Sequence, residues 1–186
     1  MTTGTRPQHI IMVRHPPVAV PDGVCYGRLD VPLRPGWEGW ARALAGAVAD
    51  ARPERLLCSP AQRCVLPAGV MGHVLGLDAT IEPRLAELDF GTWEGQPWDH
   101  IDRAGLDRWA AAPETFAMPS GESASDLQAR VRAVWDELRM DGRSTMIVTH
   151  GGPLRYLLAW AEERVPDPCA APPVPGAMER FSLPPR

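Results

Sequence analysis

Three apolar stretches of this 186-residue chain each run directly into a polar group. Residues 9–13 (HIIMV) end at Arg14-His15. Arg55–Cys58 (RLLC) ends at Ser59, with Arg63 four residues further on. Residues 144–149 (STMIVT) end at His150-Gly151-Gly152. An Arg guanidinium offers a planar fork of N–H donors that suits phosphate oxygens. A neutral His nitrogen can attack as a nucleophile or take a proton. Each residue alone has a plainer reading: a His after a strand usually packs or caps, and an Arg in a first helical turn usually faces water. The repetition at three strand ends is what points to chemistry. Open α/β sheets hold ligands at the carboxyl ends of their strands. Helix N-termini there carry free N–H groups and partial positive charge. Two guanidinium groups, two imidazoles and two helix starts converging at one edge would form a pocket for a phosphate dianion.

The elements that must position these groups alternate strand with helix. The three apolar runs are too short for helices and read as buried strands. Pro16-Pro17 forbids a helix after the first, and the Pro- and Gly-rich residues 21–35 form a long loop. Residues 37–51 place Trp37, Trp40, Ala41, Leu44 and Val48 at helical spacing. Ser59-Pro60 reads as N-cap and first position of a second helix, kinked at Pro67. An edge strand is expected within residues 78–88. Residues 123–139 form an amphipathic helix, with Ser123 and Asp126 as a variant capping box. Pro153 opens the next helix, residues 165–177 cross the surface, and residues 178–183 return as a last strand. Together these predict one domain over residues 1–186, a three-layer α/β/α sandwich with a mostly parallel central sheet. Residues 90–122, with Trp93, Trp98 and Trp109, read as a lid or cap insertion.

Composition narrows the function class. Apolar residues are 45% and charged residues 23%, an ordinary globular balance. The net charge of −4 argues against a nucleic-acid binder. No apolar run is long enough to span a bilayer, and the polar start lacks a signal core, so the expected location is the cytoplasm, with no membrane partner. All nineteen basic residues are Arg, so a fixed positive charge in a site must be Arg or a protonated His. Cys25, Cys58, Cys64 and Cys169 lack metal-ligand or disulfide spacing and read as free thiols. CSPAQR at Cys58–Arg63 has four residues between Cys and Arg where a tyrosine-phosphatase loop needs five, and it contains a Pro. It is set aside.

Four blocks in order, Val13-Arg14-His15, residues 59–63 (SPAQR), residues 87–95 (ELDFGTWEG) and residues 149–152 (THGG), resemble the histidine phosphatase (phosphoglycerate mutase-like) superfamily. The resemblance covers residues 9–160. It implies that His15 is the nucleophile, that Arg14 and Arg63 hold the phosphate, that His150 stabilises charge while partly protonated, and that Glu87 gives the leaving oxygen its proton. It also places Gly151 at the phosphate and implies neither metal nor cofactor. The roles are chemically coherent, because phosphoryl transfer asks mainly for positioning and charge stabilisation. The chain departs from the family at Pro16, where Gly is usual; one backbone N–H is lost there.

Residues 25–33 (CYGRLDVPL) look most like the corresponding loop of α-ribazole-phosphate phosphatases of cobalamin biosynthesis, which implies substrate contacts for Tyr26 and Arg28. The competing reading pairs Arg28 locally with Asp30 on a surface loop. Residues 119–123 (PSGES) resemble another segment bordering the family's site. The three tryptophans could line a pocket for an aromatic base or belong to the core. A phosphoglycerate mutase, a broad sugar-phosphate or nucleotide phosphatase and a protein phosphohistidine phosphatase are rivals within the fold. A catalytically dead phosphate-ligand or partner-binding protein is the rival outside it. The expected partner is a small phosphate ester; a homodimer is compatible with the chain, which does not specify oligomeric state.

Overall fold

The computed structural model describes residues 7–184. Five strands form one sheet: β1 (Gln8–Arg14), β2 (Arg55–Cys58), β3 (Ala79–Ile81), β4 (Thr145–Thr149) and β5 (Met178–Leu183), in the order β3-β2-β4-β1-β5. The first four neighbours run parallel, and β5 is antiparallel to β1 at the edge. Helices α1 (Trp37–Val48) and α2 (Gln62–Leu75) cover one face. Helices α4 (Ala124–Asp141) and α5 (Gly151–Ala161) cover the other, while the short α3 (Arg103–Ala111) belongs to the tryptophan-rich insertion.

The period of the strands explains the layers. Ile11 and Val13 join Leu56, Cys58, Met146 and Val148 against α1 and α2. Ile10 and Met12 join Leu57 and Ile147 against α4 and α5. Alternate residues thus face opposite apolar layers, which is why the central strands read as unbroken apolar runs rather than alternating ones. The three-layer sandwich with a mostly parallel sheet is the architecture observed. Among the described residues no helix is long and apolar enough to cross a membrane. The four cysteines are free, three of them buried.

Several local expectations hold. The Ser123–Asp126 capping box is formed, with both reciprocal bonds present. β3 is the edge strand expected within residues 78–88. One helix start differs. α2 begins at Gln62 with Ala61 as N-cap, not at Ser59-Pro60. The Ser59 hydroxyl is drawn instead into a 2.6 Å hydrogen bond with His150 Nε2. A tertiary partner has outcompeted the local cap.

The tryptophan-rich segment is held by an aromatic cluster of its own and shares the apolar core of the α4/α5 layer through Trp93 and Ile101. Trp109 on α3 meets Trp98 (centroids 5.9 Å apart), Trp93 (5.9 Å) and Phe90 (6.1 Å), and Trp93 also stacks on Phe116. Trp93 is buried in the core, so of the two readings for the tryptophans it takes the core one.

Candidate active site

Sheet register assembles the site. Val13 and Cys58 both lie level with Val148, and Arg14 lies level with Thr149. The ladder continues one step beyond the strands: His15 N–H donates to Thr149 O (2.9 Å) and Ser59 N–H to Val148 O (3.0 Å). His15, Ser59 and His150 therefore leave the sheet together at its carboxyl edge.

His15 is 1% exposed. Its Nδ1 lies 2.8 Å from the Pro16 carbonyl oxygen. A carbonyl can only accept, so Nδ1 carries the ring proton and Nε2 keeps its lone pair. Burial pushes the imidazole pKa down to about 3, with Arg63 and Arg14 adding to the effect against the Pro16 bond. The ring is neutral at physiological pH. The His150 ring lies 5.2 Å away, fully buried. Burial, then Arg63, His15 and Arg14, hold His150 well below its ordinary value. Removal from water in the company of two guanidinium groups disfavours the protonated ring, against the partial protonation that the family resemblance implies.

Arg63 is completely buried at the start of α2. Its Nη1 and Nη2 donate to Leu29 O (2.8 Å) and Gly27 O (2.5 Å), and its guanidinium lies 5.3 Å from the centre of the Tyr26 ring. Arg14 Nη1 donates to Pro173 O at 2.5 Å. Both arginines leave Nε buried without an acceptor. An unmatched buried donor ordinarily costs about 1–3 kcal/mol, and two beside two imidazoles form a pair of charged donors able to meet an anion.

Glu87 occupies the N-terminus of α5, accepting from Gly152 N–H through both oxygens (3.1 and 3.2 Å) and from Leu88 N–H (2.9 Å). Gly152 must be glycine for this approach, because a Cβ there would overlap Glu87 Oε1. The backbone around Glu87 is held by Arg130 of α4. Arg130 donates to the carbonyls of Arg84 (2.6 Å), Ala86 (2.7 Å) and Glu87 (2.9 Å) and pairs with Glu122 at 2.6 Å.

Arg28 joins the same scaffold. Its Nε donates to Glu87 O (3.2 Å), and its Nη atoms pair with Asp89 (3.2 Å) and Glu122 (3.0 Å). Asp30, the partner expected in the surface-loop reading, instead accepts from Gln62 N–H. Glu94 ties the two loops together by accepting from the N–H groups of Arg28, Leu29 and Phe90.

Two clefts meet at Glu87. A polar one of about 250 Å³ is lined by Arg28, Ser59, Arg63 and His150. An apolar one of about 500 Å³ contains Arg14 and Gly151 at one end and Trp109 and Tyr156 among its walls. The structure thus gathers Arg14, His15, Arg63, Glu87, His150 and Gly151 in one place. Arg28 borders the polar cleft with all three guanidinium nitrogens engaged, and Tyr26 lies against Arg63 rather than in either cleft. Arg130 was missed by sequence reasoning. It sits on α4 next to Val131, a core position, and nothing local distinguishes it from the solvent-facing arginines of that helix.

The chain matches the histidine phosphatase superfamily (branch 1) over residues 10–174. It belongs to that superfamily. This histidine phosphatase is 29% identical over 140 residues to a candidate phosphoserine phosphatase 2 of Hydrogenobacter thermophilus, covering 73% of this chain and 69% of that one. It is 30% identical over 151 residues to a probable phosphoglycerate mutase of an Enterobacter strain, covering 75% and 70%. Against a bifunctional protein of Mycobacterium tuberculosis the identity is 29% over 170 residues, 86% of this chain but only 46% of that longer protein. Among solved structures, a mycobacterial glucosyl-3-phosphoglycerate phosphatase superposes with a TM-score of 0.79 at 24% identity, covering 94% of this chain and 90% of that one. A candidate α-ribazole-5′-P phosphatase of Escherichia coli superposes with a TM-score of 0.72 at 21% identity, covering 86% and 81%. At those identities the structural likeness speaks for the fold. The chain is a phosphatase of this superfamily, and none of these matches specifies the substrate.

Proposed function

We propose that this histidine phosphatase is a metal-independent phosphomonoesterase working through phosphohistidine at His15. The observation that carries the reading is the His15 imidazole, neutral, with Nδ1 tied to Pro16 O and Nε2 free, beside two buried arginine Nε donors without acceptors. In the first half-reaction Nε2 bonds to phosphorus while the ester P–O bond breaks. Glu87 supplies the proton to the departing oxygen. Arg14, Arg63 and the α5 N-terminus at Gly151 hold the phosphoryl oxygens. Positive charge that develops on the imidazole is stabilised through Nδ1–H by the Pro16 carbonyl. In the second half-reaction water attacks phosphorus, Glu87 receives its proton and the P–N bond breaks. The arriving dianion would also favour protonation of His150, supplying in the complex the charge absent from the free site.

Pro16 fits this scheme, because the feature used is its carbonyl, which proline retains. That argues against the inactive-protein reading. For the physiological substrate we favour α-ribazole 5′-phosphate, on the resemblance of residues 25–33 and the position of Arg28 at the polar cleft; in this reading the enzyme acts in the cytoplasm. The similarity to a probable phosphoglycerate mutase keeps a phosphoglycerate mutase-type enzyme as the second reading.

The test is phosphate release from an aryl phosphate and from α-ribazole 5′-phosphate in the presence of EDTA, with His15→Ala in parallel and acid-labile, base-stable label trapped on the protein. Turnover that survives EDTA and vanishes in His15→Ala is expected. Loss of turnover with EDTA, or labelled intermediate in His15→Ala, would overturn the mechanism.

A further inference from the structure

The larger cleft raises a question that the phosphate chemistry leaves open, namely what kind of alcohol departs from phosphorus. Its phosphate end is defined by Arg14, Glu87 and the Gly151–Gly152 backbone. The other walls are mainly apolar: Leu88, Leu127 and Pro172 lie close to that end, with Phe90, Trp109 and Tyr156 among the rest. The Tyr156 hydroxyl is already committed to Ala124 O (3.2 Å). The one further charged lining group is Arg155, whose Nε donates to Ala170 O at 2.6 Å. Glu87 is the only carboxylate lining this cleft among the described residues.

Trp109 is the feature that gives the cleft a shape preference. It is half-buried, and its ring is fixed by three aromatic neighbours: near-parallel to Trp98 (14°), edge-on to Phe90 (85°) and inclined to Trp93 (64°). A ring braced in this way presents a preformed wall, so a planar guest meets it without the cost of ordering a mobile side chain. An amino-acid phosphate would bring a carboxylate that Arg155 could meet and an ammonium group for which the cleft has no carboxylate to spare. An unpaired charge removed from water is unfavourable.

Resting on the reading of Glu87 as proton donor, we infer that the apolar cleft is the leaving-group subsite. It takes phosphate monoesters whose alcohol carries a planar aromatic or heteroaromatic body, and Trp109 is the specificity-determining residue. The polar cleft beside Arg63 and His150 then serves the phosphate side, and Glu87 stands between the two, where a proton must pass to the departing oxygen.

The experiment compares 2-(1-naphthyl)ethyl phosphate, ethyl phosphate and O-phosphoserine. The first two are primary alkyl esters with closely similar leaving groups, so a difference between them reads the cleft and not the chemistry. Wild type is expected to favour the naphthyl ester over ethyl phosphate by about 100-fold in kcat/KM, from burial of the ring, and to rank phosphoserine no better than ethyl phosphate. Trp109→Ala is expected to reduce the naphthyl-to-ethyl ratio about 10-fold, chiefly through KM, and Trp109→Phe to restore part of it. Ala110→Gln, an exposed position on the same wall, is expected to lower the ratio without touching the aromatic cluster. Equal kcat/KM for the two alkyl esters, a preference for phosphoserine, or ratios unmoved by both substitutions would overturn the inference while leaving the phosphohistidine mechanism intact. Titration calorimetry of the naphthyl and ethyl esters into His15→Ala reads the same subsite without turnover. Tighter binding of the naphthyl ester there supports the inference even if the catalytic reading fails, and equal binding overturns it.

Discussion

The His15 Nδ1 lies 2.8 Å from the carbonyl oxygen of Pro16, the next residue in the chain. This contact fixes the tautomer of the proposed nucleophile with an atom every residue type carries. A residue whose missing N–H looked like a defect therefore preserves the group that matters. Pro16→Gly is expected to change kcat/KM by less than about threefold and to lower stability by about 0.4–1 kcal/mol, through greater freedom of the unfolded chain. Steady-state kinetics and urea unfolding test both parts. A gain in activity of 30-fold or more would mean that the absent N–H, not the carbonyl, limits the site.

The buried imidazoles make stability depend on pH in a defined direction. Burial lowers the folded pKa of His15 to about 3 from an ordinary 6.5. Between those values the unfolded chain binds the proton and the folded one does not, so stability falls as pH drops from 6.5 toward 3. Each such group withdraws about 1.4 kcal/mol per pH unit across its window. His150 is shifted in the same direction by the same main cause. Urea unfolding at pH 7 and pH 5 should show a steep loss in wild type and a shallower one in His15→Gln. Parallel pH dependence in the two proteins would rule out a neutral buried His15.

For activity the same shift predicts that the acidic limb of kcat/KM does not arise from His15. Neutral imidazole persists far below pH 6.5, so a profile measured between pH 4 and 8 should contain no ionisation near 6.5 that His15 contributes. A histidine carbon chemical shift followed by NMR through this range, with His15→Gln for assignment, would show the ring resonance unmoved above pH 5.

Arg130 supports Glu87, the proposed acid, through the backbone that carries it. It bonds the carbonyls of residues 84, 86 and 87 and pairs with Glu122, so it acts as a positioning residue. Arg130→Met should reduce kcat on alkyl phosphates by about 100-fold, the scale of a misplaced general acid. The loss on 2,4-dinitrophenyl phosphate, whose leaving group needs no proton, should be less than about threefold. Arg130→Lys should recover part of the alkyl activity. Equal losses on both substrates would show a general structural role instead.

Gly152→Ala should resemble Glu87→Gln for a steric reason. A Cβ at 152 would overlap Glu87 Oε1 and push the carboxyl off the α5 N-terminus. Alkyl-ester turnover is expected to fall about 100-fold. Labelled phosphohistidine should still form from the dinitrophenyl ester. Wild-type turnover of alkyl esters by Gly152→Ala would remove Glu87 from the acid role.

The family, the fold class and the groups gathered at the site were legible because they depend on local pattern. Strands buried on both faces must be apolar at every position, and three such runs appear as unbroken apolar letters ending in Arg14-His15, Ser59 and His150. The capping box at Ser123 lies within four residues of sequence and was equally plain. What was misread was local chemistry overruled from a distance. Ser59 looked like a helix cap until a histidine 91 positions away claimed its hydroxyl.

The sequence by itself determined which residues could bind and transfer a phosphoryl group, and that they stand at the ends of strands. Only the tertiary structure decided the rest. It set the neutral state of His15 and His150, the engagement of Arg28 by Asp89 and Glu122, the hold of Arg130 on Glu87, and the apolar cleft beside Trp109. Each of these depends on burial or on partners from distant segments. Sheet register and the packing of α4, α5 and the insertion set those distances, and no periodicity along the chain encodes which long side chain will meet which backbone carbonyl across the fold.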